Sequence, residues 1–398
     1  MGKSNRLLVL FIIFLSVNLF FASGEDIQLI LQTVSDRVIS PAGTRSARPE
    51  ILLIGDRFYI IYLQISPVRT FRIIVMDRDL TSQGMANIFS GNYQPTDIRI
   101  CSGEANYFYT AFENTGKNDG ISNTLSISRY KTTESLPLPV NSNIDFAEAP
   151  PVIIPSRLPP KDTDLLDDPA PFFYKGNFYT ITRKWESAIL KIHKFSPELQ
   201  HIETYLLDIG KVLPGLYLSV NSFVNIEGKP YLITGVSNEP PVSETSSSWI
   251  VAIPLDETLK KVSGSPVTLS KTNKYETYVA CARYYNEILF AGYDIIEKPL
   301  DVKQLPEHSR LKNLPVFHYG VIKAFDVRNG FKELGSIQVN SGNMIDNHFT
   351  FEVSLGKLYV AYQSPDEKLH IKVIAFIFTD QVPCKCKASN PLYLQYPP

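Results

Sequence analysis

The sequence predicts an all-β fold, a six-bladed β-propeller closed by its own N-terminal strand. Three observations carry that prediction. A unit of apolar strand, tight turn and aromatic strand recurs six times. No stretch after the N-terminal apolar run keeps a long helical period. The last copy lacks a fourth strand, and an unpaired strand near the N-terminus is available to supply it.

The first copy runs Arg48-Pro49-Glu50-Ile51-Leu52-Leu53, turns at Gly55-Asp56 and continues through Phe58 to Tyr62. Its third strand, Phe71 to Met76, ends in Asp77-Arg78-Asp79-Leu80. The second copy centres on Tyr107-Phe108-Tyr109. The third is the clearest, with Asp168 to Phe173, the turn Lys175-Gly176-Asn177, Phe178 to Thr182, then Ile189 to Phe195 closed by Ser196-Pro197-Glu198-Leu199. The fourth passes Gly228-Lys229, Tyr231 to Ile233 and Trp249 to Pro254, then Asp256-Glu257-Thr258-Leu259. The fifth and sixth centre on Ile288-Leu289-Phe290 and Leu358-Tyr359-Val360. Each strand is short, alternating and bounded by turn formers, as sheets require. Fourth strands read best at Ile202 to Ile209, Val262 to Leu269 and Phe331 to Val339.

One such copy cannot bury both faces of its sheet, whereas a closed ring of copies can. After Leu369 to Phe378 the sixth copy passes directly into Asp380-Gln381-Val382-Pro383. Ile27 to Gln32 sits before the first copy without a hairpin partner, so it is expected to complete the sixth blade and hide two sheet edges. A five-bladed ring with one stray sheet is the alternative.

The ends of the chain differ from the repeats. Lys3 and Arg6 precede an apolar run from Leu7 to Phe21, and Ala22-Ser23-Gly24 follows. Residues 1–24 therefore read as a secretory signal peptide, with an uncleaved anchor as the alternative. Residues 25–380 form the propeller domain and 381–398 a tail. Export makes the expected setting secreted, periplasmic or cell-surface. Cys101, Cys281, Cys384 and Cys386 are an even set, so disulfides are allowed, and Cys384-Lys385-Cys386 is placed to tie down the tail. With 39 Lys and Arg against 40 Asp and Glu, and no basic run, a nucleic-acid partner is not expected. After signal removal no segment is long and apolar enough to span a membrane.

Strand parity places the candidate site. The first-to-second turns are all short. The long segments 113–123, 237–248 and 295–317 join second to third strands, and 141–167 joins the second copy to the third. All four should leave one face, and long loops on one side of a rigid scaffold commonly carry a binding site. The same face receives the starts of the first strands, at Arg48, Asp97, Asp168, Asn221, Glu276 and His348. A channel mouth ringed by carboxylates, an Arg and a His suits a polar ligand such as a sugar. Solvated residues paired with one another are the plainer reading of the same ring.

Glycoside hydrolysis requires two carboxyl groups about 5 to 9.5 Å apart. Asp97, Asp168 and Glu276 come from different blades and are the candidates, with Arg48, Asn221 and His348 as ligand contacts. The stretch Asp168-Pro169-Ala170-Pro171-Phe172-Phe173-Tyr174-Lys175-Gly176-Asn177-Phe178-Tyr179 resembles the blade-opening motif of the propeller glycosidases, the arabinanase and β-xylosidase group. The resemblance implies catalytic carboxylates at inner-strand starts, matched best by Asp168, with Glu276 of Tyr275-Glu276-Thr277 in the place of the acid. The first copy departs from it, opening with Arg48-Pro49, and six copies exceed that group's five blades.

Other chemistries find no motif. The sialidase Asp-box, G-x-S-x-G, H-E-x-x-H and the P-loop are all absent. The six His show no paired ligand spacing, and Asp162, Asp164, Asp167 and Asp168 lack the Gly turn of a Ca²⁺ loop, so neither metal nor cofactor is expected. Two functions remain. One is an exported propeller that binds a glycan at the long-loop face, with or without hydrolysing it. The other is a non-catalytic scaffold that docks a protein or cell-surface partner there.

Overall fold

The computed structural model describes residues 27–67, 69–88, 95–104, 106–114, 124–132, 152–154, 167–183, 188–238, 248–272, 275–296, 318–340 and 349–380. Residues 1–24, expected to be a signal peptide, His348, the Cys384/Cys386 tail and most of the four long segments lie outside the described residues. Contacts divide the chain into two compact units. One joins 1–30 with 377–398, and in its described part Thr379 Oγ1 donates to the Gln28 carbonyl at 3.3 Å. The other, Leu31–Phe376, contains the ring of blades.

The fold is a six-bladed β-propeller, with no α-helix among the described residues. The N-terminal strand is β1 (Ile27–Val38). The first blade is β2 (Arg45–Ile54), β3 (Arg57–Ser66), β4 (Thr70–Asp77) and β5 (Ser82–Asn87). The second is β6 (Pro95–Ser102), β7 (Tyr107–Asn114), β8 (Thr124–Lys131) and β9 (Val152–Ile154). The third is β10 (Asp167–Tyr174), β11 (Asn177–Arg183), β12 (Ile189–Phe195) and β13 (His201–Asp208). The fourth is β14 (Tyr217–Ile226), β15 (Lys229–Ser237), β16 (Ser248–Pro254) and β17 (Val267–Ser270). The fifth is β18 (Tyr275–Tyr285), β19 (Ile288–Ile296), β20 (His318–Asp326) and β21 (Lys332–Gln338). The sixth is β22 (Phe349–Ser354), β23 (Lys357–Gln363) and β24 (Leu369–Asp380), with β1 as its outer strand. The N-terminal strand thus supplies the missing fourth strand, and the five-bladed alternative falls away. A single parallel pair, Ser248 with Tyr275, joins the fourth and fifth blades into one continuous sheet.

The turns explain why these residues form hairpins. Lys175-Gly176, Glu227-Gly228 and Leu355-Gly356 all hold positive φ at both positions, the geometry that matches strand twist in a two-residue hairpin. The third-to-fourth turns share a second device. Asp77 Oδ1 accepts from the Asp79 and Thr81 amides at 3.0 and 2.9 Å, and Asp256 Oδ1 from Lys260 and Lys261 at 2.9 and 3.0 Å. Leu80 and Leu259 stand at positive φ in these two turns and are buried, as is Leu199 in the third blade's turn, where Ser196 Oγ accepts from the Gln200 amide at 3.2 Å in the place of the Asp. The bonded Asp and the buried Leu hold a backbone conformation that a bulky residue otherwise avoids.

The core lies between blades. Phe108, Phe112 and Tyr130 pack against the first blade's Tyr59, Ile61 and Val75. Phe172 and Ile181 meet Leu232 and Val251 across the next-but-one seam. The inner strands share one irregularity. The register shifts between Ala47 and Glu50 in β2, Pro95 and Ile98 in β6, Asp167 and Ala170 in β10, Leu218 and Asn221 in β14, and Val279 and Cys281 in β18. A bulge re-aims the side chains it contains, so this repeated device sets what the inner strands present near their starts.

Candidate functional site

Pairing register aligns the inner strands. Glu50, Arg99, Ala170, Ser222, Cys281 and Thr350 occupy one equivalent position, opposite Ile61, Ala111, Ile181, Ile233, Gly292 and Ala361. Most of them bond to the next blade. Ser222 Oγ accepts from the Ala282 amide at 2.9 Å, and Cys281 Sγ from the Phe351 amide at 3.3 Å. Thr350 Oγ1 accepts from the Ile51 amide at 3.0 Å. Glu50 Oε1 accepts from Arg99 Nη1 at 3.2 Å. The inner edge of a blade is an unpaired strand edge, and Ser222, Cys281 and Thr350 each satisfy one of its amides. Ala170 has no hydrogen-bonding side chain, so at that level the third blade offers the fourth none.

Within this girdle lies a cavity of about 300 Å³, lined by all six inner strands. Its two sides differ in chemistry. The first, second, fifth and sixth blades supply two ion pairs, Glu50–Arg99 and Arg283–Glu352. Arg283 Nε and Nη2 donate to Glu352 Oε1 at 3.0 and 2.8 Å, while Nη1 donates to the Ala282 carbonyl at 3.0 Å. Burial opposes the charge on Arg283, but Glu352, together with Cys281 and Glu50, outweighs it and holds the guanidinium above its usual pKa. The third and fourth blades supply an aromatic wall of Phe172, Phe173 and Phe223, with the Phe172 and Phe223 rings stacked at 3.9 Å. Cys101 and Cys281, both free, also line the cavity. Burial pushes the Cys281 thiol up to about 12, against the pull of Arg283, and raises Cys101 as well, so both stay protonated and unreactive.

Asn221 lies in the same wall, only 4% exposed, with neither Nδ2 nor Oδ1 hydrogen-bonded. It shares a strand face with Phe223, whose ring stacks on Phe172, and therefore looks towards the third blade. Val224 and Ile226, on the opposite face of β14, pack with the fifth blade.

The other sequence candidates are placed as follows. Arg48 is half-buried, inside the β2 bulge, with φ of 52°. Asp97 and Asp168 fall within the β6 and β10 bulges, and their side chains lie outside the described residues. Glu276 is 0% exposed and is not among the residues lining the cavity. It sits where the fourth and fifth blades join. Its Oε1 accepts from Ser270 Oγ of β17 at 2.9 Å, and Ser270 Oγ in turn accepts from Lys323 Nζ at 3.0 Å. Burial raises the Glu276 pKa, against the pull of Ser270 and Lys323.

Counting from strand starts misses Glu50, Arg99, Arg283, Glu352, Phe173 and Phe223. A usable signal was present. Arg99 stands between Ile98 and Ile100, and Glu352 between Phe351 and Val353, each a charged residue flanked by apolar ones.

No family model matches the sequence, and no curated protein matches it. Solved structures do match. The α-L-arabinanase of Penicillium chrysogenum, solved with arabinobiose, aligns over 86% of this chain and 98% of its own, at 11% identity and a TM-score of 0.53. The fold is shared with a propeller arabinanase. An endo-arabinase of Bacteroides thetaiotaomicron aligns over 87% of this chain and 99% of its own, at 13% identity and a TM-score of 0.39. The Bacteroides ovatus xyloglucan PUL GH43B aligns over 83% of this chain at 11% identity and a TM-score of 0.43, and this chain spans 65% of its length. At these identities the likeness is one of backbone architecture.

Proposed function

We propose that this protein is an exported propeller that binds a glycan in its central channel. The observation that carries the reading is the two-sided cavity, with Phe173 and Phe223 facing carboxylates fixed by Arg99 and Arg283. A sugar ring has an apolar C–H face and a rim of hydroxyls. The aromatic wall suits the face, and ionised carboxylates accept from the rim. Glu352 takes both Arg283 bonds on Oε1, which leaves Oε2 for a ligand hydroxyl. The apolar run Leu7 to Phe21 followed by Ala22-Ser23-Gly24 supports export, where glycans are met.

Binding is favoured over hydrolysis by geometry, since the Glu50 and Glu352 carboxylates of the cavity are each held by a guanidinium, at 3.2 and 2.8 Å. A general acid must hold a proton at working pH. Glu276 is the carboxyl whose burial favours the proton, and it belongs to the blade seam. Calorimetry against a panel of soluble oligosaccharides tests the reading. Binding that weakens tenfold or more in Phe223→Ala and Glu352→Gln, with product formation absent, is the expected result. Failure of every oligosaccharide to bind the folded protein overturns it, and sustained release of reducing ends overturns the non-catalytic form.

A further inference from the structure

We infer that the central cavity is entered from the face of the short first-to-second turns, and that a glycan reaches it end-on, its terminal residue resting at the girdle. The inference rests on the glycan reading and adds the route and the part of the chain that is recognised.

Register gives the cavity a direction. At the girdle position it is lined by Glu50, Ala170 and Cys281, with Asn221 one residue before it, and all four are buried. Three residues further along, the inner strands of the first five blades line it again, with Leu53, Ser102, Phe173, Asn225 and Tyr284. These stand opposite Phe58, Phe108, Phe178, Pro230 and Leu289, so they share one level. Ser102 and Asn225 are exposed there, and the other three are half-buried. Each lies within one residue of the end of its strand, where the short turn begins. Exposure therefore rises from the girdle to the turns, and the mouth belongs to the turn face. Three residues of strand set a depth of about 10 Å.

The mouth is held in shape. Tyr284 donates its hydroxyl to Glu227 Oε1 at 3.0 Å, a bond between the fifth and fourth blades. Phe173 stacks on Tyr109 of the second blade with ring centres 5.7 Å apart. Two fixed aromatic rings beside the exposed Ser102 and Asn225 suit a sugar lying in the mouth. At the deep end the inner strands are tied to one another by Ser222, Cys281 and Thr350 and by the Glu50–Arg99 pair. A chain entering at the turns must stop at this girdle or thread it, and the buried girdle side chains favour stopping. An internal residue needs room for chain on both sides, whereas a terminal residue needs it on the mouth side alone. A terminal residue also keeps the hydroxyl that an internal one has lost to its onward linkage. Asn221, unbonded at Nδ2 and Oδ1, lies at the depth where such hydroxyls arrive and pairs with them as donor and acceptor. A cavity of about 300 Å³ is at the small end for ligand sites, which suits the end of a chain.

Calorimetry on the full mature chain tests both parts. The probes are linear arabino-, xylo- and cello-oligosaccharides from disaccharide to hexasaccharide, and soluble linear arabinan, xylan and β-glucan of known mean length. Ser102→Trp and Asn225→Trp enlarge exposed side chains on different blades, so the melting temperature should hold in each. Each should change the affinity for the bound oligosaccharide about tenfold or more, equivalent to about 1.4 kcal/mol. Loss is the expected direction, because an indole narrows the mouth, and a gain through stacking places the ligand there equally. If one variant does not fold, the other decides. Unchanged affinity in the folded variants overturns entry from this face and leaves the glycan reading standing. Titration should saturate at one protein per chain whatever the chain length. Several proteins on each long chain overturn end-on recognition, again without touching the glycan reading. Binding of no oligosaccharide at all overturns both.

Discussion

Tyr362 of β23 donates its hydroxyl to Asp36 of the N-terminal strand at 2.6 Å, a bond between residues 326 positions apart in sequence. The same carboxylate meets His370 Nδ1 at 3.0 Å and Lys372 Nζ at 3.5 Å. Ring closure rests on an outer strand added from the far end of the chain, and Asp36 is its polar clasp. Asp36→Ala removes three partners from one half-exposed carboxylate and should cost about 1 to 3 kcal/mol. The melting temperature should fall, and native-state hydrogen exchange should rise first in β24. Unchanged exchange there would show that apolar packing alone holds the closure.

Gly292 of β19 faces the sixth inner strand. A methyl group added to it would lie 2.8 Å from both the Phe349 and Phe351 rings. Those rings are 1% and 0% exposed, so they have little room to withdraw. The glycine is required here by close approach rather than by φ. Gly292→Ala should therefore destabilise by about 1 to 3 kcal/mol despite its usual entropic benefit. Urea denaturation measures this directly, and a neutral or stabilising result would mean that the fifth and sixth blades are packed more loosely.

How far the sequence carries the structure is visible along β10. The pattern Pro-Phe-Phe-Tyr, then Lys-Gly, then Phe-Tyr-Thr-Ile announces a hairpin, and β10 and β11 pair as that pattern requires. Closure was legible for the same reason, since a blade with three strands and a strand with no blade are both visible in the chain. The cavity was not legible from its position in the repeat. Counting alternation from each strand start presumes a regular ladder, and a register shift intervenes in five inner strands. Periodicity alone does not signal such a bulge. The polar residues beyond it, such as Arg99 between two isoleucines, were readable as charges flanked by apolar residues. The partner of each was not, because Arg283 and Glu352 are 69 residues apart and meet only when the fifth and sixth blades pack side by side.

The Arg283–Glu352 pair gives a direct test of the channel's electrostatics. Both side chains are largely buried, at 26% and 13% exposure. Removing one partner leaves the other charge in the cavity wall without compensation. Arg283→Met should destabilise by about 3 kcal/mol, and adding Glu352→Leu should restore most of that loss. The double variant should also lose oligosaccharide binding, because the acceptor carboxylate is gone. Additive effects of the two substitutions would show that the ion pair is not coupled in the folded protein.

Glu276 offers a prediction in pH. Its folded-state pKa is raised above the ordinary 4.5, first by burial. The groups around it are Ser270, Thr272 and Tyr293, with Lys323 and, farther out, Glu333. Below the ordinary value both folded and unfolded chains carry the proton, and Glu276 contributes no pH dependence. As pH rises past that value the unfolded chain ionises while the folded chain holds its proton. Stability therefore falls with pH until the folded carboxyl titrates too. Glu276→Gln keeps the neutral shape and its acceptor for Ser270 but cannot ionise in either state. The stability of the variant relative to wild type should be flat below the ordinary value, climb as pH rises past it, and level off once the folded carboxyl ionises. Chemical denaturation of both proteins across that range measures the difference. A constant difference would mean that Glu276 ionises in the fold as readily as in water, with Lys323 as the counter-ion through a rearranged Ser270.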